Sequence, residues 1–165
     1  MSPFQPPRLF ARARPSKERP GMVSMEDLKA YASHALEAPA GEAVRRVLAV
    51  LEDVCQEPVQ FAYARNLFVD ASALEVVLMT ARGHLLVAAV QAGRVRVRRL
   101  PAREIVETVY EAAPAEKDLA RLRVGFRDGQ ALVLDSATDC NEHWRFKYAN
   151  SIRALARMLA AATGG

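Results

Sequence analysis

A cysteine and a histidine three residues apart, in the segment from Asp139 to His143, are placed so that they could carry out covalent chemistry. If Cys140 lies in the first turn of a helix, the helix dipole stabilises its thiolate as a nucleophile, and His143 on the same face could act as the base. The sequence offers no third residue to orient the histidine and no oxyanion loop. We therefore interpret the segment as an ordinary helix cap, with a Cys140/His143 enzyme as the weaker alternative.

The possible metal ligands form no CxxC or HxxxH pair, so a metal site would need convergence from distant parts of the chain. They are His34, Cys55, His84, Cys140 and His143. The phosphate-loop, dinucleotide, metalloprotease and hydrolase patterns GxxxxGK(S/T), GxGxxG, HExxH and GxSxG do not occur. We expect no catalysis, no metal and no cofactor, and we interpret His84, beside a turn glycine, as a solvated turn residue.

Arginines alternate with aliphatic residues in two predicted strands. They are Arg94, Arg96 and Arg98 in the first, and Arg121 and Arg123 in the second. A period of two sends all the guanidinium groups of a strand to one face, which could bind phosphate, an acidic peptide or a nucleic-acid backbone. The predicted strand between them carries Glu104, Glu107 and Glu111, whose cross-strand pairing would neutralise that face. We favour the ion-pair ladder and keep the anion site as the alternative.

The net charge of +4 belongs to the first 20 residues, which hold five basic residues and one acidic one, whereas the remaining basic and acidic residues cancel. Five prolines in this segment oppose regular structure, so residues 1–23 are predicted to be a disordered tail. Arg8, Arg12 and Arg14 could tether it to anionic lipid or nucleic acid, and the alternative is a solvated end. The apolar runs are too short for a transmembrane helix, and two cysteines exclude a disulfide scaffold.

The elements that must position these residues begin and end with helices. Ser24 and Asp27 form a capping pattern, and apolar residues at helical spacing predict a two-helix hairpin over residues 24–57. At the other end, one apolar stripe predicts an amphipathic helix that closes the sheet core, with Asp139 and Glu142 as its cap and Lys147 off the stripe. The stripe comprises Trp144, Tyr148, Ile152, Leu155 and Leu159.

Between the helices, β-branched and aromatic runs bounded by turn residues predict eight strands. They are Val59–Tyr63, Leu67–Asp70, Leu74–Thr80, His84–Gln91, Val95–Leu100, Ile105–Glu111, Leu119–Phe126 and Ala131–Asp135. Short connections that contain glycine favour hairpins, and therefore an antiparallel meander. The predicted class is α+β, with residues 58–165 forming the sheet and its closing helix, and residues 24–165 forming one compact unit.

Residues 74–160 resemble a bacterial pleckstrin-homology-like domain. The resemblance lies in VVLMTARGHLLVAAV, VRVRRLPAREIVETV and LRVGFRDGQALVLD, followed by an amphipathic helix. It implies a curved seven-stranded antiparallel sheet, folded into a sandwich or partly open barrel and plugged by the last helix. Members bind lipid headgroups, peptides or proteins, and Arg82 followed one strand later by Arg94 and Arg96 resembles the basic pattern of phosphoinositide-binding members.

The sequence therefore favours a cytoplasmic, non-catalytic interaction or scaffold module that binds a protein partner. The alternative is a binder of anionic membrane lipid or nucleic acid that uses the tail and the arginine strands. The helical hairpin could pack on its own sheet or on another chain, and the second arrangement would give a homo-oligomer.

Overall fold

A four-stranded antiparallel sheet forms the first half of the fold in the computed structural model, which describes residues 22–34 and 39–163. Its strands follow one another in sequence order. They are β1 (Val59–Arg65), β2 (Glu75–Thr80), β3 (His84–Gln91) and β4 (Arg94–Pro101). Gly83 and Gly93 adopt φ values of +82° and +78° in the two tight turns, a conformation that glycine takes without strain.

A second antiparallel sheet follows, in the order β5, β6 and β7. Its strands are β5 (Ile105–Ala113), β6 (Glu116–Phe126) and β7 (Ala131–Asp135). A short 3-10 helix, Ala102–Glu104, connects the two sheets, which do not close into a barrel. The predicted α+β class and antiparallel connectivity are confirmed.

Seven strands form in the described residues instead of the eight predicted from the pattern, because Leu67–Asp70 is a turn and not a strand. Asn66 adopts a φ of +66°, and its carbonyl accepts hydrogen bonds from the backbone N–H groups of Val69 and Asp70. Those groups are therefore unavailable to a neighbouring strand. Leu67 nevertheless points into the core, which accounts for its apolar character.

Two helices precede the sheets, α1 (Met25–His34) and α2 (Pro39–Val54). They pack against each other, and together they contact β1, β3 and β4, so the hairpin packs on its own sheet. Ser24 and Asp27 form the predicted cap, in which each backbone N–H donates to the other side chain at 2.9 and 3.2 Å. Neither these helices nor any other in the described residues is long and apolar enough to cross a membrane.

The last helix, α3 (Arg145–Ala162), packs mainly on β6 and also contacts β1, β5 and β7. All five residues of the predicted apolar stripe are buried. Tyr148 illustrates the packing, since its ring lies 4.7 Å from that of Tyr63 and its hydroxyl donates to the Ala64 carbonyl at 2.6 Å. Residues 61–64 of β1 and 76–80 of β2 are all buried, so both faces of these strands are covered, and the contacts of α1 and α3 with β1 contribute to this burial.

Lys147 departs from the prediction because it is buried instead of lying on the solvated side of the helix. Its Nζ is 3.2 Å from Oδ2 of Asp27, so the two buried side chains form an ion pair. Next to this pair, the backbone N–H of Val23 donates to Oγ of Ser151 at 2.8 Å. These contacts join the beginning of the described fold to its last helix.

Candidate functional site

Strand β5 has an edge without a strand partner among the described residues, since it pairs with β6 alone. Every residue from 106 to 112 is exposed, so neither face of the strand is covered. Val106 is 58% exposed and Tyr110 is 39% exposed, which is unusual for such large apolar side chains. An edge of this kind presents backbone N–H and C=O groups to which another strand can pair.

A groove of about 380 Å³ lies between the end of β5 and the first turns of α3. Tyr110 and Phe146 are its large apolar side chains, and Phe146 is 54% exposed. Lys117 and Arg153 also line it, and none of its lining residues is acidic. The guanidinium of Arg153 donates to the side-chain oxygen of Asn150 at 2.7 Å, and it forms no ion pair with another described residue. The groove therefore combines apolar surface with positive charge.

Phe146 was not among the predicted site residues, although the helical period contained a signal for it. Phe146 lies two residues from both Trp144 and Tyr148, which are buried on the apolar stripe. At about 100° per residue, two residues correspond to about 200° around the helix, so a stripe that faces the core leaves this aromatic side chain outside. A large aromatic residue opposite a core stripe is thus a sequence feature that marks a surface for contact.

The outer face of the three-stranded sheet is crossed by ion pairs between arginine and carboxylate side chains. They are Arg121–Glu111 at 3.3 Å, Arg121–Asp135 at 3.8 Å and Arg123–Glu107 at 3.1 Å, with Arg127–Glu104 at 3.5 Å beside them. The side chains remain about half exposed, so each pair contributes at most about 1 kcal/mol. Arg121 and Arg123 therefore have carboxylate partners, as the ladder interpretation requires.

The arginines of β4 do not share that face, because β4 and β6 belong to different sheets. Arg94 and Arg96 are exposed and have no acidic partner among the described residues, whereas Arg98 donates to the side chain of Gln130. Arg82 lies in the β2–β3 turn, at the opposite end of β3 from Arg94. The length of β3 separates the two by roughly 24 Å at the usual rise of a strand. The arginines of β4 and β6 therefore lie on different sheets, and Arg82 is far from Arg94 and Arg96.

Cys140 does not lie on a helix, because it precedes the 3-10 turn Glu142–Trp144 and α3 begins only at Arg145. Its side chain is buried, with Sγ 3.4 Å from the carbonyl of Ser136. Burial, reinforced by the charge of Asp139, raises the pKa of the thiol to about 12, the opposite of the predicted activation. His143 is exposed, and no hydrogen bond between it and Cys140 occurs in the described part of the chain.

Asp139 organises the turn between β7 and α3. Its Oδ2 accepts hydrogen bonds from the Tyr63 hydroxyl and the Asp135 backbone N–H, both at 2.8 Å. The cap before α3 is Asn141, whose side chain accepts from the Trp144 backbone N–H, and not Asp139 as predicted. Within the part of the chain that the structure describes, no group of three or more His, Cys, Asp or Glu side chains is placed to hold a metal ion.

A polar cluster that the sequence did not reveal surrounds Glu57. His84 Nδ1 lies 3.0 Å from both carboxylate oxygens, and Arg99 Nη2 lies 2.6 Å from one of them. Hydrogen bonds from Thr80 and His84 lower the pKa of Glu57 to about 2. Arg99 Nη2 also lies 3.1 Å from His84 Nδ1, so the three side chains form one cluster. The interpretation of His84 as a solvated turn residue is wrong, since a partner 27 residues away orients its ring.

The tether candidates Arg8, Arg12 and Arg14 lie outside the described residues. The same holds for all of the predicted tail except Met22 and Val23. A tether to lipid or nucleic acid through this segment stays a prediction.

Comparison with known proteins bears on the folded part of the chain. No curated protein and no solved structure gives a significant match. A family with the description "Protein of unknown function (DUF3908)" matches residues 24–150. The match runs from the cap of α1 through both sheets into the first turns of α3, and it covers 127 of the 165 residues. The chain therefore belongs to the DUF3908 family.

Proposed function

We propose that this chain is a non-catalytic interaction module that binds an extended segment of a protein partner along β5. The unpaired edge of β5 carries the proposal, because a partner strand there gains backbone hydrogen bonds without any change in the fold. The side chains of the partner strand would reach the adjoining groove, where Tyr110 and Phe146 are exposed. The high pKa of the Cys140 thiol supports a role without catalysis by that residue.

The chemistry of the groove specifies the partner segment. Lys117 and Arg153 are its charged lining residues, and both are basic, so an acidic residue in the partner has a complementary place. Tyr110 and Phe146 favour an apolar residue next to it, because exposed aromatic side chains anchor peptide segments. The proposed occupant is a strand that carries one apolar and at least one acidic side chain.

The order of the elements supports the pleckstrin-homology-like character of the module. Four antiparallel strands, three further antiparallel strands and a closing helix are the parts that the sequence resemblance implied. Domains of that kind work mainly as interaction modules, although a fold alone does not specify a ligand. A cytoplasmic location belongs to the same proposal.

Selection from a random peptide library displayed on phage, with the full chain as bait, tests the proposal. Enriched peptides should combine apolar and acidic residues, and their synthetic versions should bind in fluorescence polarisation assays. Phe146→Ser should weaken binding at least about tenfold, since it removes a central aromatic anchor. Lys117→Glu should also weaken the binding of acidic peptides, because it replaces a positive charge of the groove with a negative one. Val69→Ser is the matched control, because Val69 is 58% exposed but does not line this groove.

Hydrogen exchange locates the binding site independently of the variants. Amide protection on peptide binding should rise along β5, with its centre between Val106 and Tyr110. Peptides that bind wild type and Phe146→Ser equally, or that protect another region, would contradict the proposal.

A second candidate function rests on Arg94 and Arg96, which have no acidic partner among the described residues and are exposed beside the β3–β4 turn. Arg46 adds a third guanidinium at this turn, where it donates to the Gly93 carbonyl at 2.9 Å. These charges would hold an anionic membrane surface. Cosedimentation with phosphatidylserine-containing vesicles, and not with phosphatidylcholine alone, should be lost in Arg94→Glu/Arg96→Glu. Retention by this variant would exclude β4 as the membrane-binding strand.

A further inference from the structure

A cavity of about 550 Å³ opens at one end of the fold, away from the β5 groove. Its lining comes from the β2–β3 turn with the adjoining strand ends, the connection from β4 to β5, the last turns of α3, and Gln60 of β1. Met79, Met158 and Ala161 contribute apolar surface, whereas Arg82, His84 and Arg103 contribute basic groups. Its size is within the range of small-molecule sites, which are about 300–1,000 Å³.

The charged side chains that line this cavity are all basic in the part of the chain that the structure describes. Arg82 and Arg103 are exposed, and neither guanidinium has an acidic partner among the described residues. None of the residues that line the cavity is acidic. The nearby carboxylate of Glu57 is already bound to His84 and to Arg99, so it does not offset the two arginines. An anion placed between the two guanidinium groups would therefore not compete with a carboxylate of the cavity lining.

Backbone hydrogen bonds hold the two arginine-bearing segments together. Ala102 N–H donates to the Gly83 carbonyl at 2.9 Å, and Gly83 N–H closes the turn onto the Thr80 carbonyl at 3.0 Å. Arg82 precedes Gly83 and Arg103 follows Ala102, so each arginine is next in the chain to a residue of the Ala102–Gly83 hydrogen bond. Their backbone positions are fixed by the fold, and only their side chains must be ordered by a ligand, which reduces the entropic cost of binding.

The apolar part of the cavity suits an aliphatic chain. Met79 is 3% exposed and belongs to the core, and Met158 packs against the same core from α3. Methionine side chains are unbranched and adaptable, so they conform to flexible apolar ligands. Ala161 leaves open space beside them because its side chain is short.

We propose that this cavity binds a small anionic amphiphile, with its phosphate or carboxylate head between Arg82 and Arg103 and a short aliphatic chain against Met79 and Met158. The site is separate from the β5 groove and does not depend on the function proposed for it. The two parts of the cavity act together, since the arginines attract the head while the methionines accept the chain.

Isothermal titration of the full chain with octyl phosphate and with octanoate tests this proposal. At least one of them should bind, and the tighter one identifies the head group. Inorganic phosphate, which lacks the chain, and octanol, which lacks the charge, should each bind at least about tenfold more weakly. Failure of both amphiphiles to bind, or equal binding of inorganic phosphate, would overturn the proposal.

Variants separate this cavity from general surface charge. Arg82→Gln/Arg103→Gln should weaken binding at least about tenfold through the head, and Ala161→Phe should do so by filling the apolar space. Arg157→Gln is the matched control, because it removes an exposed arginine of α3 that does not line the cavity. Binding that survives the double variant refutes the site.

Methyl NMR of ¹³C-labelled methionine gives a readout that needs no variant. Met79 and Met158 signals should shift on titration with octyl phosphate or octanoate, whereas Met22 and Met25, which pack elsewhere on the core, should not. Shifts confined to Met22 and Met25 would overturn the assignment of the site to this cavity.

Discussion

Lys147→Met is expected to destabilise the fold by about 3–5 kcal/mol, because it removes the ammonium group that lies 3.2 Å from the buried carboxylate of Asp27. The side chains of Lys147 and Asp27 are 8% and 1% exposed, and 3.2 Å separates Nζ from Oδ2. A domain of this size has a free energy of unfolding of about 5–15 kcal/mol. The variant would lose a large part of it, and its melting temperature should fall by roughly 6–20 °C.

The loss should depend on pH in a defined direction. Burial raises the pKa of Asp27 above its ordinary value of 3.8, while the charge of Lys147 opposes this rise. Removing Lys147 therefore raises the pKa further. A raised carboxyl pKa means that the folded state binds more protons than the unfolded state, so stability falls as pH rises from 3.8 through the folded pKa. The variant should be closer to wild type near pH 4 than near pH 8.

Urea unfolding followed by circular dichroism at both pH values measures the effect. Lys29→Met is the matched control, because Lys29 is 53% exposed and lies 3.9 Å from Glu52, and it should change stability by less than about 0.5 kcal/mol. Asp27→Asn/Lys147→Met should recover stability near pH 8, since the buried side chain at position 27 no longer carries a charge. If Lys147→Met and Lys29→Met unfold alike at both pH values, the Lys147–Asp27 pair does not stabilise the fold.

Three further predictions concern other parts of the fold. Glu57→Gln should flatten the acid limb of the stability curve, because the Glu57 pKa is lowered from 4.5 to about 2 and its stabilisation is therefore lost as pH falls through that window; an unchanged acid limb in urea unfolding would contradict this. Iodoacetamide at neutral pH should label partly exposed Cys55 well before Cys140, whose thiol pKa is about 12. Mass spectrometry of the digested peptides measures the two labelling rates, and faster labelling of Cys140 would contradict this expectation. Ala92→Asn should stabilise the fold by about 1 kcal/mol, because Ala92 has a φ of +51° that asparagine tolerates better, and a lower urea midpoint would count against it.

The helices and most strands could be predicted because their hydrophobic periods agree with the faces that the fold buries. The stripe from Trp144 to Leu159 is an example, since all its members are buried. Leu67–Asp70 has the composition of a strand, but Asn66 in the left-handed region turns the chain and removes its amides from pairing. The composition of the segment does not show that a turn, and not a strand, uses these backbone N–H groups.

The candidate site was harder to predict from the sequence, because it depends on which strands pair with which neighbours. The alternation in β5 indicates a strand, yet only the topology shows that one of its edges is free. Likewise, Asp27 and Lys147 are 120 residues apart in the chain, and Glu57 and His84 are 27 apart. Pairs of this kind leave no mark in local spacing, so one sequence could not reveal them.

The bond from Val23 to Ser151 spans 128 residues and sets a condition on the order of events on the ribosome. Chains emerge with the N-terminus first, at about 5–20 residues per second, so the first helix waits roughly 6–25 s for its partner residue in the last one. During that time Leu28 and Tyr31, which end with 1% and 7% exposure, lack part of their final surroundings. The hairpins can pair as soon as they emerge, because their contacts are local. The packing around the first helix is therefore completed last, after the final helix has been synthesised.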